Sequence, residues 1–304
     1  MPPFHQIDLP LLLQPLAGDA GFRRYFRLAG QMSLIAVDSP PDKENNPAYI
    51  KVAMAFQRHG VTTPKILAVD FANGFFLLED FGHQLLHPEL LAGSVAKESS
   101  PARLSAANYY QQAESVLLDI QRVEPSPRVF AAYDAQRLQS EMDLFADWFV
   151  SQLLGVELDE HESSMLSRLF SRLIEAALEQ PQVVVHRDYH SRNLMLLEDG
   201  ALGVIDFQDA FWAQAPYDLL NLLEDARATV PEDIKTEMKS QYCADMNDPD
   251  RAAFYDWYVV MSAQFHCRVI GLFIKFADEG RGKQFLPHIP RLQNYLKNEI
   301  QNPV

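Results

Sequence analysis

The stretch His186-Arg187-Asp188-Tyr189-His190-Ser191-Arg192-Asn193, followed down the chain by Asp206-Phe207-Gln208-Asp209, decides how this sequence is read. It fits the pattern H-R-D, four residues, Asn. Strand-like runs flank it, 183–185 before it and then 194–197 and 202–205, the last two joined by a turn at Glu198-Asp199-Gly200. An Asp on such a loop can accept the proton of an attacking hydroxyl. An Asn five residues on, and an Asp closing the next hairpin, can converge on Mg²⁺ held by nucleotide phosphates. Amide and carboxylate oxygens suit a hard cation that keeps some of its waters. The competing reading is a chance polar loop at a helix-to-strand junction, which roughly a few per cent of chains this long would supply before the placement of the second Asp is counted.

Outward from that loop the texture changes. Residues 22–80 read as strand-rich and most of the remainder as helix-rich, which puts a boundary near residue 80. Arg24-Tyr25-Phe26-Arg27-Leu28 and Ser33-Leu34-Ile35-Ala36-Val37 alternate as paired strands, with Ala29-Gly30-Gln31 as their turn. Asn46-Pro47 reads as a helix cap and first turn. Ile50, Ala53, Met54 and Phe56 follow at helical spacing, and Gly60 stops the helix. Residues 65–70 and 74–79 make a second strand pair around Phe71-Ala72-Asn73-Gly74, and the polar residues 82–103 read as the connection between lobes. Beyond it, 104–123, 134–154 and 160–179 carry apolar residues three and four apart, such as Leu138, Met142, Phe145 and Phe149, and predict three helices. Helices resume from Pro216 to the end.

Composition narrows the class. Of 304 residues, 48% are hydrophobic and 22% charged, the balance of a globular protein. With 26 basic against 41 acidic residues the formal charge is −15, a field that repels nucleic acid and anionic membranes. An anionic ligand must therefore meet local cations or backbone N–H groups. Cys243 and Cys267 are too few for a disulfide scaffold and too far apart for a metal clip, which predicts a reducing compartment. Residues 1–18 lack Lys and Arg, and Pro2, Pro3, Pro10 and Pro15 interrupt the run Leu11-Leu12-Leu13, unlike a signal peptide. No window reaches the roughly 18 apolar residues of a spanning helix. The expectation is a cytoplasmic protein with no nucleic acid, membrane or protein partner.

At these residues the sequence resembles the aminoglycoside phosphotransferase and choline kinase superfamily, relatives of protein kinases that phosphorylate small-molecule hydroxyls. The resemblance spans nearly the whole chain. It is closer still to the anomeric sugar kinases acting on N-acetylmuramate and N-acetylglucosamine in bacterial cell-wall recycling. The resembling stretches are Asp19-Ala20-Gly21-Phe22-Arg23-Arg24-Tyr25-Phe26-Arg27, Val37-Asp38-Ser39-Pro40-Pro41-Asp42-Lys43-Glu44, Leu77-Leu78-Glu79-Asp80-Phe81-Gly82, the loop from His186 to Asn193, and Gly203-Val204-Ile205-Asp206-Phe207-Gln208-Asp209-Ala210. The resemblance implies a two-lobed α+β, protein-kinase-like (aminoglycoside phosphotransferase) fold. A small sheet-rich nucleotide-binding lobe would cover residues 1–80, and a larger helical catalytic and substrate lobe residues 81–304. It implies transfer of the ATP γ-phosphoryl group to the C1 hydroxyl of the amino sugar, giving a sugar 1-phosphate. Carried over by position, Asp188 is the catalytic base and Asn193 and Asp206 are the Mg²⁺ ligands. Residues 78–81 form the hinge, offering the carbonyl of Glu79 and the N–H of Phe81 to adenine. Asp218 matches a carboxylate that braces the catalytic loop, or is simply an acid at a helix start.

The sequence also departs from that pattern. There is no G-x-G-x-x-G, only Gly18-Asp19-Ala20-Gly21, and no Walker A motif. Where many kinases carry a Lys on the third strand this chain reads Ile35-Ala36-Val37-Asp38, and the next helix offers Lys51 where a paired Glu is expected. The phosphate cation is therefore sought in Lys51, held by Asp38, or in Arg23, Arg24 and Arg27. His186 is expected to orient the loop rather than move protons, and the four-residue spacing of His186 and His190 is not read as zinc. Asp209 either reaches the sugar or caps the next segment, and Arg192 either steadies phosphate or faces solvent. Phe211, Trp212, Trp257 and Tyr258 supply core or a sugar-stacking platform. Two alternatives stay open: a kinase for another small hydroxyl compound of aminoglycoside or choline type, and a nucleotide-binding pseudokinase.

Overall fold

A computed structural model of the chain describes residues 12–16, 22–28, 33–244, 246–280 and 282–301. The predicted turn Ala29-Gly30-Gln31 and the segment Gly18-Asp19-Ala20-Gly21 lie outside the described residues. Strands β1 (Leu13–Pro15), β2 (Arg24–Leu28), β3 (Leu34–Asp38), β4 (Ile66–Asp70) and β5 (Phe75–Glu79) form one antiparallel sheet in the order β1-β2-β3-β5-β4. The period-two pattern puts Ile35 opposite Leu78 and Val37 opposite Phe76, all four buried. Helix α1 (Asn46–Arg58) covers that face with Tyr49, Val52, Ala53 and Phe56. Asn45, not Asn46, caps α1, its side chain accepting the Ala48 N–H at 3.2 Å. Asn46 is buried instead, donating to the Ser39 carbonyl at 2.9 Å and accepting from the Ser39 hydroxyl at 2.6 Å. Two adjacent asparagines look equivalent in sequence, and only the second is needed by a tertiary contact. Gly74 ends the β4–β5 turn at φ +74, where an added Cβ would lie 2.1 Å from the Ser39 carbonyl oxygen, so glycine is required there twice over.

After β5 the structure turns helical. The polar connection holds a helix that periodicity did not reveal, α2 (His87–Ser94), buried through Leu90 and packed through Gly93 against Ala106 of α3 (Pro101–Gln121). Helix α4 (Ala135–Leu144) continues as a π-helical stretch, Phe145–Leu153, and α5 (Glu160–Leu178) starts on an Asp159–Glu162 capping box. Strand β6 (Gln182–Val185) pairs with β9 (Phe211–Gln214), and β7 (Leu194–Leu196) pairs with β8 (Leu202–Val204). Helices α6 (Tyr217–Leu223), α7 (Glu232–Ala244), α8 (Asp248–Asp278) and α9 (Ile289–Gln301) complete the chain.

Helix α8 is long and apolar enough to cross a membrane by length and composition alone, yet two thirds of its most apolar window is buried inside the protein. It serves as the central core helix, packed against α4, α9 and the π-helical stretch. Gly271 lets α8 approach closely, since a Cβ there would meet the Leu144 carbonyl oxygen at 2.3 Å. Phe211 and Tyr258, weighed above as a platform, are buried, and the Phe211 ring packs 4.9 Å from Tyr133 and 5.4 Å from Tyr217. They are core residues.

Candidate active site

The loop from His186 to Asn193 is fixed from below by α6. Asp218 is fully buried and its carboxylate accepts two successive backbone N–H groups, from His186 at 2.5 Å and from Arg187 at 3.0 Å. Asn221, one turn on, donates to the Arg187 carbonyl at 2.8 Å. These bonds hold Arg187 at φ +83, in the left-handed region that costs a non-glycine residue roughly 1–3 kcal/mol. From behind, the buried Tyr189 hydroxyl donates to the Ala113 carbonyl at 2.7 Å. Asp218 is thus a loop brace and not merely a helix-start acid.

The same loop is tied to the strand that carries the second acid. The His186 ring N–H at Nε2 donates to the Ile205 carbonyl at 2.9 Å, and the Ile205 N–H donates to the Asn193 carbonyl at 3.0 Å. Asn193 Nδ2 donates to the Asp188 carbonyl at 2.9 Å, which leaves its Oδ1 to point elsewhere. Asp206, next after Ile205, sits at φ +62, and Gln208 donates to its Oδ1 at 2.8 Å. Phe207 is fully buried against Tyr49 and Phe56 of α1, at 4.9 and 6.0 Å between ring centroids. The apolar Phe207 anchors the turn, so Asp206 beside it is directed by the core of the sheet lobe. Asp188, Asn193 and Asp206 are brought together, as the spacing predicted.

Charge in this loop is arranged by burial. Burial pushes the Asp188 carboxyl up, but Arg187, Arg268, His190 and His186 together outweigh it and hold Asp188 below the usual carboxylate range, hence ionised at neutral pH. Burial pushes His186 down to about 4, so its ring is a neutral hydrogen-bonding strut. Burial pushes Asp218 up to about 7, against the N–H bonds of His186 and Arg187, with Asp188 adding to the rise. An ionised carboxylate and a neighbouring amide oxygen are the donors a hard divalent cation takes, so Asp206 and Asn193 fit Mg²⁺.

On the nucleotide side, Arg23 reaches back from the start of β2 toward α1. Its Nε donates to Ser39 Oγ at 3.1 Å, its terminal nitrogen meets Glu44 at 3.0 Å, and its guanidinium lies 5.7 Å from the Tyr49 ring centre. Glu44 also accepts the Phe22 N–H at 3.0 Å, so one carboxylate holds both the cation and the backbone that enters β2. Tyr25, on the same face, has its phenol pushed up to about 12, first by burial and then by the charge of Asp206. The Arg23–Glu44 pair therefore lies on the sheet face that looks toward Asp206. Sequence reasoning named Arg23 but missed Glu44, which is distant along the chain from its partner.

The other proposed cations stand apart. Asp38 pairs with Arg24, its neighbour across the β2–β3 register, and does not tether Lys51. Lys51 is exposed, with Nζ at 3.5 Å from the Arg128 carbonyl. Arg24 lies on the opposite strand face from Tyr25 and remains largely exposed. Arg27 holds the hinge: it contacts both Asp80 oxygens, at 2.5 and 2.9 Å, and the Gly82 carbonyl at 2.6 Å. Although burial raises Asp80, the bonds from Arg27, Ser33 and the Gly82 N–H hold it below the usual range. Glu79 and Phe81 flank this locked Asp80, in a cleft of about 1070 Å³ whose walls also include Thr62, Thr63, Leu196 and Leu197. Asp188, Asn193 and Asp206 do not line it. Asp209 lies 3.9 Å from Arg187, and Arg192 is half-exposed beside Ser191.

The phosphotransferase enzyme family matches residues 12–255 of this chain. An N-acetylmuramate/N-acetylglucosamine kinase of Pseudomonas aeruginosa is 35% identical over 302 residues, spanning 96% of this chain and 84% of that protein. Among solved structures, an ethanolamine kinase of Plasmodium vivax matches with a TM-score of 0.67 at 11% identity, over 95% of this chain and 82% of that one. An aminoglycoside phosphotransferase with ADP bound matches with a TM-score of 0.62 at 12% identity, over 95% and 93% of the two chains. At such identities these two establish the fold, and it is the α+β protein-kinase-like fold that the sequence implied.

Proposed function

The chain belongs to the phosphotransferase enzyme family, and from that membership we propose that it moves the γ-phosphoryl group of ATP onto the anomeric C1 hydroxyl of N-acetylmuramate or N-acetylglucosamine. The product is the sugar 1-phosphate, for use in cell-wall recycling. The observation that carries this reading is the loop braced by Asp218, which presents an ionised Asp188 beside Asn193 and Asp206. The name of the Pseudomonas aeruginosa relative supplies the acceptor class.

In this reading the C1 hydroxyl oxygen bonds to the γ-phosphorus as the bond from that phosphorus to the β–γ bridging oxygen breaks. Asp188 orients the hydroxyl and takes its proton, and ADP leaves. Mg²⁺, held by Asn193 and Asp206 when bound, would bridge the phosphates and neutralise the charge that develops on them. The Glu79 carbonyl and Phe81 N–H receive adenine, while Arg23, braced by Glu44, replaces the missing strand Lys at the phosphates. Arg24 and Lys51 have no part in it. Residues 1–80 act as the nucleotide-binding lobe and residues 81–304 as the catalytic and substrate lobe, in a cytoplasmic enzyme.

The test is phosphoryl transfer from Mg-ATP to both amino sugars, followed by phosphorus NMR, with choline and an aminoglycoside as controls. A glycosyl 1-phosphate signal supports the reading. Turnover of a control alone would replace the acceptor, and nucleotide binding without any transfer would make the chain a pseudokinase.

A further inference from the structure

Beside Asp188 the chain gathers positive charge that the phosphoryl-transfer machinery does not use. Asp225, just past α6, is buried, and it accepts from the Ser191 hydroxyl at 3.1 Å and from the Arg227 N–H at 2.8 Å. The Arg227 guanidinium lies 3.8 Å from the same carboxylate, with its side chain only 15% exposed. Arg291 of α9 donates to the Ala226 carbonyl at 2.8 Å, which brings a second guanidinium to this segment. Arg192 projects from the loop position after Ser191. Three guanidinium groups thus surround one buried carboxylate, in a protein whose overall charge is −15.

His190 joins these cations to the reacting centre. Its backbone N–H donates to the Asp188 carbonyl at 3.0 Å, its side chain is 8% exposed, and Nδ1 has no hydrogen-bond partner. A buried polar atom without a partner costs roughly 1–3 kcal/mol, and a ligand that supplies one recovers it. Burial, then the charge of Arg227, holds His190 below its ordinary value, so the ring is neutral and offers Nδ1–H in one tautomer.

We propose that Arg227, Arg192 and His190 receive a carboxylate on the acceptor, so that the site prefers an amino sugar bearing an acid side chain over its neutral counterpart. A planar carboxylate matches the guanidinium fork and accepts charge-assisted hydrogen bonds. Of the two sugars in the relative's name, N-acetylmuramate carries a lactyl carboxylate and N-acetylglucosamine does not. The inference rests on the acceptor class proposed above and adds which of the two is favoured and by what residues.

The experiment measures kcat and KM for both sugars with wild type, Arg227→Met, Arg192→Met and Arg227→Lys. Loss of a charge-assisted contact should raise the KM for N-acetylmuramate about tenfold or more in each Met variant, while values for N-acetylglucosamine stay within about twofold. Arg227→Lys should restore part of the preference. Calorimetric titration of N-acetylmuramate into each variant with ADP present should show the same loss without turnover. Equal losses for both sugars would make these residues structural and overturn the inference while leaving the kinase reading intact. A raised KM for ATP with unchanged sugar KM would assign the cations to the nucleotide and also overturn it. If wild type phosphorylates choline or an aminoglycoside but neither sugar, the acceptor reading itself fails, and the carboxylate site with it.

Discussion

The ring of Phe81 lies so close to Gly203 that a Cβ added there would sit 2.5 Å from ring atom Cε2 and 2.7 Å from Cδ2. Gly203, on β8, is therefore a spacer that sets how near the hinge comes to the catalytic hairpin, and its φ is not the reason for it. Gly203→Ala must displace Phe81, whose N–H is assigned to adenine. Overpacking of this kind costs about 1–3 kcal/mol. The expected result is a KM for ATP raised severalfold with the sugar KM unchanged. Unaltered nucleotide affinity, measured by calorimetry, would separate Phe81 from adenine binding.

Asp218 tests the brace. Asp218→Ala leaves the N–H groups of His186 and Arg187 buried without acceptors, at roughly 1–3 kcal/mol each. Unfolding midpoints in urea should fall accordingly, and kcat should drop further than nucleotide affinity, because Asp188 loses its fixed position. Asp218→Asn keeps one oxygen acceptor and should recover part of both. Equal behaviour of the two variants would count against the brace.

The reacting groups separate by what they lose. Asp188→Asn removes the proton acceptor, and kcat should fall by about 10²-fold or more with nucleotide Kd nearly unchanged. Asp206→Ala should instead weaken binding of Mg-ATP while leaving adenosine binding intact. Near-normal kcat in the first variant would remove Asp188 from the role of base.

The catalytic loop was legible because its residues are consecutive and its chemistry needs fixed spacing. The sheet lobe was legible because Ile35 and Val37, or Phe76 and Leu78, alternate with exposed neighbours. What escaped depends on contacts between residues distant in sequence. Glu44 has meaning only once Arg23 folds back onto it, Asp80 only once Arg27 crosses to the hinge, and Asp225 only once Ser191 is beside it. Strand β9 was hidden because Phe211 and Trp212 suit a helix face as well as a short buried strand, and pairing with Val184 and Val185 decides between them. Helix α2 is short, and its polar surroundings mask the two apolar anchors Leu86 and Leu90.

The pair of Arg23 and Glu44 predicts a graded response. Arg23→Met removes the phosphate cation and should weaken ADP and ATP about tenfold or more, with adenosine affinity unchanged. Glu44→Gln leaves the cation but loosens its hold and frees the Phe22 N–H, so a smaller loss is expected. Lys51→Met and Arg24→Met should bind nucleotide as wild type does, since Lys51 reaches only the Arg128 carbonyl and Arg24 faces away. A loss in Lys51→Met equal to that in Arg23→Met would return the role to the helix.

Glu114 makes the last prediction, on stability and pH. It is buried on α3 at 4% exposure, its Oε1 has no partner, and burial, helped by Glu237, pushes its carboxyl up to about 7. A carboxyl raised in the fold is favoured there in its neutral form. Its ionisation therefore opposes folding once pH exceeds the unfolded value near 4.5, and the cost grows until pH passes about 7, above which it is constant. Glu114→Gln removes that cost. The variant should gain on the order of 1–3 kcal/mol over wild type at pH 8 and nothing at pH 4, as read from urea midpoints at each pH. A gain that did not vary between those two pH values would mean that packing, and not ionisation, is what the substitution changes.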